Sequence, residues 1–233
     1  MLFKSVVFRY IIVKGVRKMD NNQSVQPGEH KLQPLPYAYN ALEPVISADT
    51  VRMHHDILQK KYVDALNAAE LALVDARQQN NFDLIKYWEN ELAFNGSGNI
   101  LHSIYWTVMA PVGAGGEPGN VTTSQIINYF GNFEAFQQQF SNAANKIEGS
   151  AWSILSWQPT WHRLEILQAE KHQNQTQWSG LPILVLDVWE HAYFRDYATK
   201  RDEYIKNWWT IVNWNEVEQR LKLAINGEVR LTI

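Results

Sequence analysis

Polar and apolar positions first settle into a helical rhythm at Asp49, where Val51, His54, Leu58 and Tyr62 recur at spacings of three and four and Ser47 or Asp49 stands ready as N-cap. Good helix formers continue from Ala65 to Arg77, and residues 78–81 read as a turn. A second helix is expected from Phe82 to about Met109, passing through Asn95-Gly96-Ser97-Gly98, where small residues allow close backbone approach at some cost in helix stability. The pair predicts a long antiparallel hairpin with one inward histidine on each arm, His54 and His102. His55 is turned about 100° around the same helix, so His54 and His55 cannot easily share one ligand.

The rhythm stops at Pro111-Val112-Gly113-Ala114-Gly115-Gly116-Glu117-Pro118-Gly119-Asn120, which can continue neither helix nor strand. Beyond it, Thr123 is expected to cap a short helix ending at Gly131, and Asn132 to cap the next, which carries Phe133, Phe136 and Phe140. Three strand-like runs follow, Ala151 to Trp157, Trp161 to Leu167 and Pro182 to Leu186, and helices at about Asp202–Trp208 and Asn215–Ala224 close the chain. The fold class is therefore α+β: an N-terminal long antiparallel helical hairpin plus a C-terminal mixed α/β domain with a small three-stranded antiparallel sheet. The expected boundaries are 1–34 for a polar and basic, disordered lead-in, 35–111 for the hairpin domain, 112–122 for the linker and 123–233 for the α/β domain.

At 233 residues, with 45% apolar and 12% aromatic content, the chain is large enough for a real core. A net charge of −3 offers no general attraction to nucleic acid or acidic membranes, so a small partner is expected and any pull on an anion must be local. The chain has no cysteine, which removes disulfides, thiolate ligands and a cysteine nucleophile and leaves histidine and carboxylate as metal ligands. Residues 1–18 are basic and apolar, but Arg9 interrupts the apolar run and no small-residue cleavage site follows. That run is too short and too charged for a membrane span. Met19 is an alternative start, and the expected location is the cytoplasm.

The chemistry concentrates in Leu186-Asp187-Val188-Trp189-Glu190-His191-Ala192-Tyr193, which sets a carboxylate and an imidazole four residues apart among buried-type aromatics. An anionic oxygen with imidazoles suits manganese, iron or zinc, whereas calcium prefers all-oxygen cages. Of the seven histidines, His30, His162 and His172 sit in polar or turn surroundings and read as surface residues. His54, His102 and His191 do not, and with Asp187 they form a set of three histidines and one aspartate. A lone inward histidine is more often a core residue than a ligand; the Asp-Val-Trp-Glu-His run reverses that reading here.

At this point the chain clearly resembles the iron/manganese superoxide dismutases, over about Leu35 to Leu223. The resemblance rests on Leu35-Pro36-Tyr37-Ala38-Tyr39-Asn40-Ala41-Leu42-Glu43-Pro44, the His54-His55 pair with Tyr62 two turns on, His102-Ser103-Ile104-Tyr105-Trp106, and the octapeptide. It implies a two-domain subunit sandwiching one ion, with His54, His102, Asp187 and His191 as ligands. It also implies disproportionation of superoxide to dioxygen and hydrogen peroxide by a redox-cycling manganese ion, with iron as the alternative, one ion per subunit, in a homodimer that takes superoxide and protons. By position, Tyr62 resembles the family's gateway tyrosine and Gln173 its second-domain glutamine, with His172 a rival for the latter place. Gly98 faces that glutamine in the manganese members, which favours manganese. Trp106, Trp152 and Trp189 would wall the site, and Glu190 would cross the dimer interface to the partner's metal-bound histidine.

The chain departs from the family at Leu58 and Phe194, where members usually carry a histidine and a partner-subunit tyrosine that bond each other. Replacing both together by apolar groups leaves neither polar group stranded. Asn99, Lys200 and Asp202 also depart from the usual pattern. These changes spare the four expected ligands and alter the entrance, so a dismutase with altered turnover is expected. The alternative is a metal-retaining structural or interaction protein of the same fold with weak or lost turnover. A non-haem iron oxygenase fits less well, because that class leaves open positions around two histidines and one carboxylate.

Overall fold

The computed structural model describes residues 25–229. The readings made for residues 1–24, including the alternative start at Met19, lie outside the described residues. Chain order begins with α1 (Ala48–Arg52), a π-helical turn (Met53–Gln59), α2 (Lys60–Gln79) and α3 (Ile85–Thr107). Then come α4 (Asn120–Phe130), α5 (Phe133–Asn145), β1 (Ala151–Gln158), β2 (Arg163–Glu170), β3 (Leu181–Asp187), α6 (Glu190–Tyr197), α7 (Arg201–Trp208), a 3-10 turn (Trp209–Ile211) and α8 (Trp214–Ile225).

Ser47 caps the first helix, its Oγ accepting from Thr50 N at 3.3 Å, and α1, the π-turn and α2 run on as one rod. The rod stops at Asn80, whose φ of 48° lies in the left-handed region that Asn tolerates better than most residues. α3 returns alongside α2, completing the hairpin. It is shorter than its apolar pattern suggested: Phe82 and Leu84 lie exposed ahead of it, and Met109 has left the helix to bridge Val212. Backbone bonds from Ala110 N to Ile211 O at 2.8 Å and from Asn213 N to Val108 O at 2.8 Å tie the end of α3 to the segment before α8.

The start of α4 corrects the sequence reading. It begins at Asn120, taking in residues assigned to the linker, and Thr123 is not its cap. Glu218 of α8 does that work from a distance, accepting from Val121 N, Thr122 N and Thr122 Oγ1 at 3.2, 2.7 and 2.7 Å. Burial pushes the Glu218 carboxyl up, but the Thr122 hydroxyl and amide outweigh it and bring it down to about 2. Asn132 caps α5 as expected, its Oδ1 accepting from Ala135 N at 2.7 Å, a contact worth about 1 kcal/mol in this position.

The sheet has order β2-β1-β3 with both pairings antiparallel. Central β1 is buried at every residue, and its three polar side chains find partners there: Ser153 Oγ donates to Phe140 O, Ser156 Oγ to Leu181 O and Gln158 Nε2 to Trp178 O. β2 starts two residues later than expected, because Trp161 and His162 belong to the turn and His162 takes a φ of 52°. The octapeptide divides between two elements: β3 ends at Asp187 and α6 begins at Glu190. Residues 25–34, expected to be disordered, instead lie along α2: Gly28 N donates to Glu70 at 2.8 Å, and His30 is tied to Asn67 and Glu70. α3 packs directly on β3, which sets the hairpin's inner face against the end of the sheet.

Candidate metal centre

His54 sits in the π-turn, His102 in α3, Asp187 at the last residue of β3 and His191 in the first turn of α6. Their donor atoms all lie within 4.8 Å of one another, only a little wider than twice a metal–ligand bond of about 2.1 Å. The Nε2 atoms of His54, His102 and His191 stand 3.2, 3.7 and 3.4 Å from Asp187 Oδ2. All four of these atoms are buried without a hydrogen-bond partner. Each such orphan costs on the order of 1–3 kcal/mol, and a cation that all four could ligate would satisfy them together.

The neighbours aim these donors inward. His102 Nδ1 lies 2.6 Å from Gly98 O and, as the only possible donor of that pair, carries the proton, so Nε2 presents its lone pair to the cluster. Asp187 Oδ1 accepts from Trp189 N at 2.8 Å, which leaves Oδ2 to the site. Tyr204 donates to Asp187 O at 3.0 Å, so the 2.9 Å contact between the Tyr105 and Tyr204 hydroxyls must have Tyr105 as donor. This chain locks α7 and α3 to the end of β3.

Burial pulls the His54 imidazole down to about 4 and holds His102 well below its ordinary range, so both rings are neutral at neutral pH. Burial pushes the Asp187 carboxyl up, but the imidazoles of His191 and His54 outweigh it and hold it well below the usual carboxylate range. An ionised carboxylate beside neutral imidazoles is the charge state a divalent or trivalent cation requires.

Aromatic rings close the surroundings. Trp106 packs 5.0 Å from the His54 ring, Trp152 4.9 Å from His102, and Trp189 5.4 Å from His191. The Tyr62 ring lies 5.1 Å from His102, with its phenol pushed up by burial and by the Asp187 charge. A Cβ on Gly98 would meet the Tyr62 ring at 3.1 Å and His172 at 3.3 Å, so a side chain there would crowd both rings and each would have to shift slightly. Glu190 and Phe194 are exposed, and Leu58 is half-buried.

The expectation for Gln173 requires correction. Its side chain is half-buried and turns back to its own neighbour, Oε1 accepting from His172 N at 3.3 Å. His172, read as a surface residue, is 2% exposed and occupies the place opposite Gly98. β2 ends at Glu170, and Lys171 takes a φ of 55°, which redirects the chain so that residue 172 rather than 173 points inward. The His172 ring stacks on Trp189 at 4.7 Å and lies 4.7 Å from Tyr62. Trp152 Nε1 donates to its Nδ1 at 2.9 Å, and burial pulls the ring down to about 4, so the neutral ring carries its proton on Nε2. That Nε2 has no partner.

Sequence reasoning also passed over Gln59, which is 1% exposed and bonded to Trp106, and Phe94, whose ring lies 4.8 Å from His172. Tyr204 lies too far along the chain from Asp187 for any local period to link them.

Comparison with known proteins places these features in one group. Residues 29–110 match the family profile "Iron/manganese superoxide dismutases, alpha-hairpin domain", and residues 118–220 match "Iron/manganese superoxide dismutases, C-terminal domain". A probable superoxide dismutase [Fe] of Bacillus subtilis is 48% identical over 197 residues, 84% of this chain and 70% of that protein. The superoxide dismutase [Fe] of Pyrobaculum aerophilum is 44% identical over 205 residues, 88% of this chain and 97% of that one. A superoxide dismutase [Mn/Fe] of Aeropyrum pernix is 43% identical over 201 residues, 85% and 93% of the two chains.

Proposed function

Because the chain belongs to the iron/manganese superoxide dismutases, we propose that it disproportionates superoxide to dioxygen and hydrogen peroxide at a mononuclear site ligated by His54, His102, Asp187 and His191. The observation that carries this reading is the convergence of four buried, unpartnered donor atoms on one point. A manganese or iron ion held by these four residues would supply the one-electron redox chemistry that the reaction needs.

The chain's own residues do the rest. His102 and Asp187 are pre-oriented by Gly98 O and Trp189 N, so little reorganisation accompanies binding of the ion. Trp106, Trp152 and Trp189 line the site with apolar surface and limit it to small molecules. Tyr62 stands as gateway beside His172. The Nε2 proton of His172 is the donor free to hydrogen-bond solvent or a small anion in the cavity, the role expected at sequence level of Gln173.

The preference for manganese rested on Gly98 at the helix position where iron members carry the glutamine. His172 rather than Gln173 stands opposite Gly98, and the three relatives are named with [Fe] or [Mn/Fe], so the proposal is that either manganese or iron supports turnover. The proposal extends to a homodimer through the face that carries Glu190 and Phe194, where Ile57 is 51% and Phe194 49% exposed. The test is to load purified apoprotein separately with each metal and measure superoxide disproportionation per bound ion. Activity with both is expected; full occupancy by both without catalysis would leave a metal-retaining structural protein as the reading.

A further inference from the structure

Gln59 is polar, 1% exposed and adjacent to the metal pocket without touching it, and nothing in the reaction as described uses it. It closes the π-turn, five residues after His54. In a regular α-helix residues five apart lie about 140° from each other, on different faces. The i-to-i+5 bonding of a π-helix brings them to the same face, so this turn lets one rod present both His54 and Gln59 to α3.

The orientation of the amide follows from its partners. The indole Nε1 of Trp106 can only donate, so the atom 2.7 Å from it must be Gln59 Oε1. Nε2 then faces Asn99 Oδ1 at 3.3 Å and Ser103 Oγ at 3.2 Å. Asn99, Ser103 and Trp106 follow at i, i+4 and i+7 on α3, a single stripe, and one glutamine spans it. The Trp106 indole thus held stands edge-on to His54, with ring centroids 5.0 Å apart and planes at 74°. Tyr105 packs the same imidazole at 5.6 Å.

We infer that Gln59 is a positioning residue of the dismutase site: through its hydrogen bond to Trp106 it fixes the indole wall against which the His54 imidazole is oriented toward the metal. The π-turn is the backbone device that makes this possible. A Gln59 that merely satisfied buried polar atoms would influence folding alone; one that sets the His54 ring also influences the electronic environment of the bound ion. The inference rests on the ligand role proposed above for His54.

The test uses the full-length protein loaded with manganese, comparing the native sequence with Gln59→Met, which keeps size and removes every hydrogen bond, and Gln59→Glu, which keeps the acceptor for Trp106. Turnover per bound metal, the visible absorption band of the oxidised manganese site and the thermal midpoint are measured together. Gln59→Met is expected to shift the band and to lower turnover per metal by about tenfold, the order of factor one net hydrogen bond carries. Gln59→Glu is expected to restore the band and most of the turnover. Should Gln59→Met not fold, Trp106→Phe, which removes the donor and leaves Gln59 in place, is expected to shift the band likewise. A native band and native turnover per metal in Gln59→Met, or a native band in Trp106→Phe, overturns the inference even if stability has dropped. Failure of the native, fully loaded protein to disproportionate superoxide would sink the function reading instead, and the band comparison would still decide the role of Gln59.

Discussion

A buried imidazole resists protonation, and His54 and His172 show what this does to stability. Burial brings both down to about 4, against about 6.5 in an unfolded chain. Between those values the unfolded chain takes up protons that the folded chain refuses, so stability rises with pH across the window and is lost as pH falls from about 6.5 to 4. The metal-free protein is expected to show this as a fall of roughly 5–10 °C in Tm between pH 7 and pH 4.5, measured by calorimetry; a flat profile would mean that these rings take up protons as readily in the folded chain as in the unfolded one. His172 carries a second prediction at this scale. His172→Leu strands Trp152 Nε1 in the core, costs about 1–3 kcal/mol and removes the free Nε2 donor. Lower stability together with turnover reduced about tenfold per bound metal is expected, and unchanged turnover would remove His172 from the reaction. That His172 and not Gln173 faces Gly98 has a local cause: the positive φ of Lys171 is a backbone choice that the run Lys171-His172-Gln173-Asn174 does not reveal.

At the scale of elements, periodicity served well where an element is regular and poorly where its start depends on something remote. The hairpin, the three strands and the α5 cap follow from spacing and turn residues. The N-terminus of α4 does not, because its cap is the carboxylate of Glu218, almost a hundred residues downstream in another helix. Removing it by Glu218→Ala leaves Val121 N, Thr122 N and Thr122 Oγ1 without their acceptor and is expected to cost about 2 kcal/mol, seen as a Tm lower by roughly 5 °C. Since α4 does not contribute to the metal pocket, turnover per bound ion should stay native; a change there would show that this cap is coupled to the site. The π-turn is the other element hidden from periodicity. The stripe Val51, His54, Leu58, Tyr62 fits an ordinary helix, and only the burial of Gln59 gives the widened turn away.

On the scale of the whole molecule, the site is a joint product of the hairpin and the end of the sheet, so each half orders the other's ligands. Ala110, Asn213 and the Tyr105–Tyr204–Asp187 chain join them by hydrogen bonds. The proposed dimer adds a third contributor. Placing a charge on its apolar rim with Phe194→Asp is expected to halve the mass seen by light scattering at micromolar concentration, and a native protein that is already monomeric there would refute the dimer. Sequence by itself determined the ligand types and much of the architecture: His54, His102, Asp187 and His191 are legible because each sits in a strongly patterned segment, and apolar spacing dictates the helices and strands that carry them. Tertiary structure alone decided the remaining neighbours of those ligands. That His172 enters in place of Gln173, that Gln59 turns inward, and that Glu218 caps a distant helix all depend on backbone turns and long-range contacts, whose energies come from burial and partners that a linear pattern does not contain.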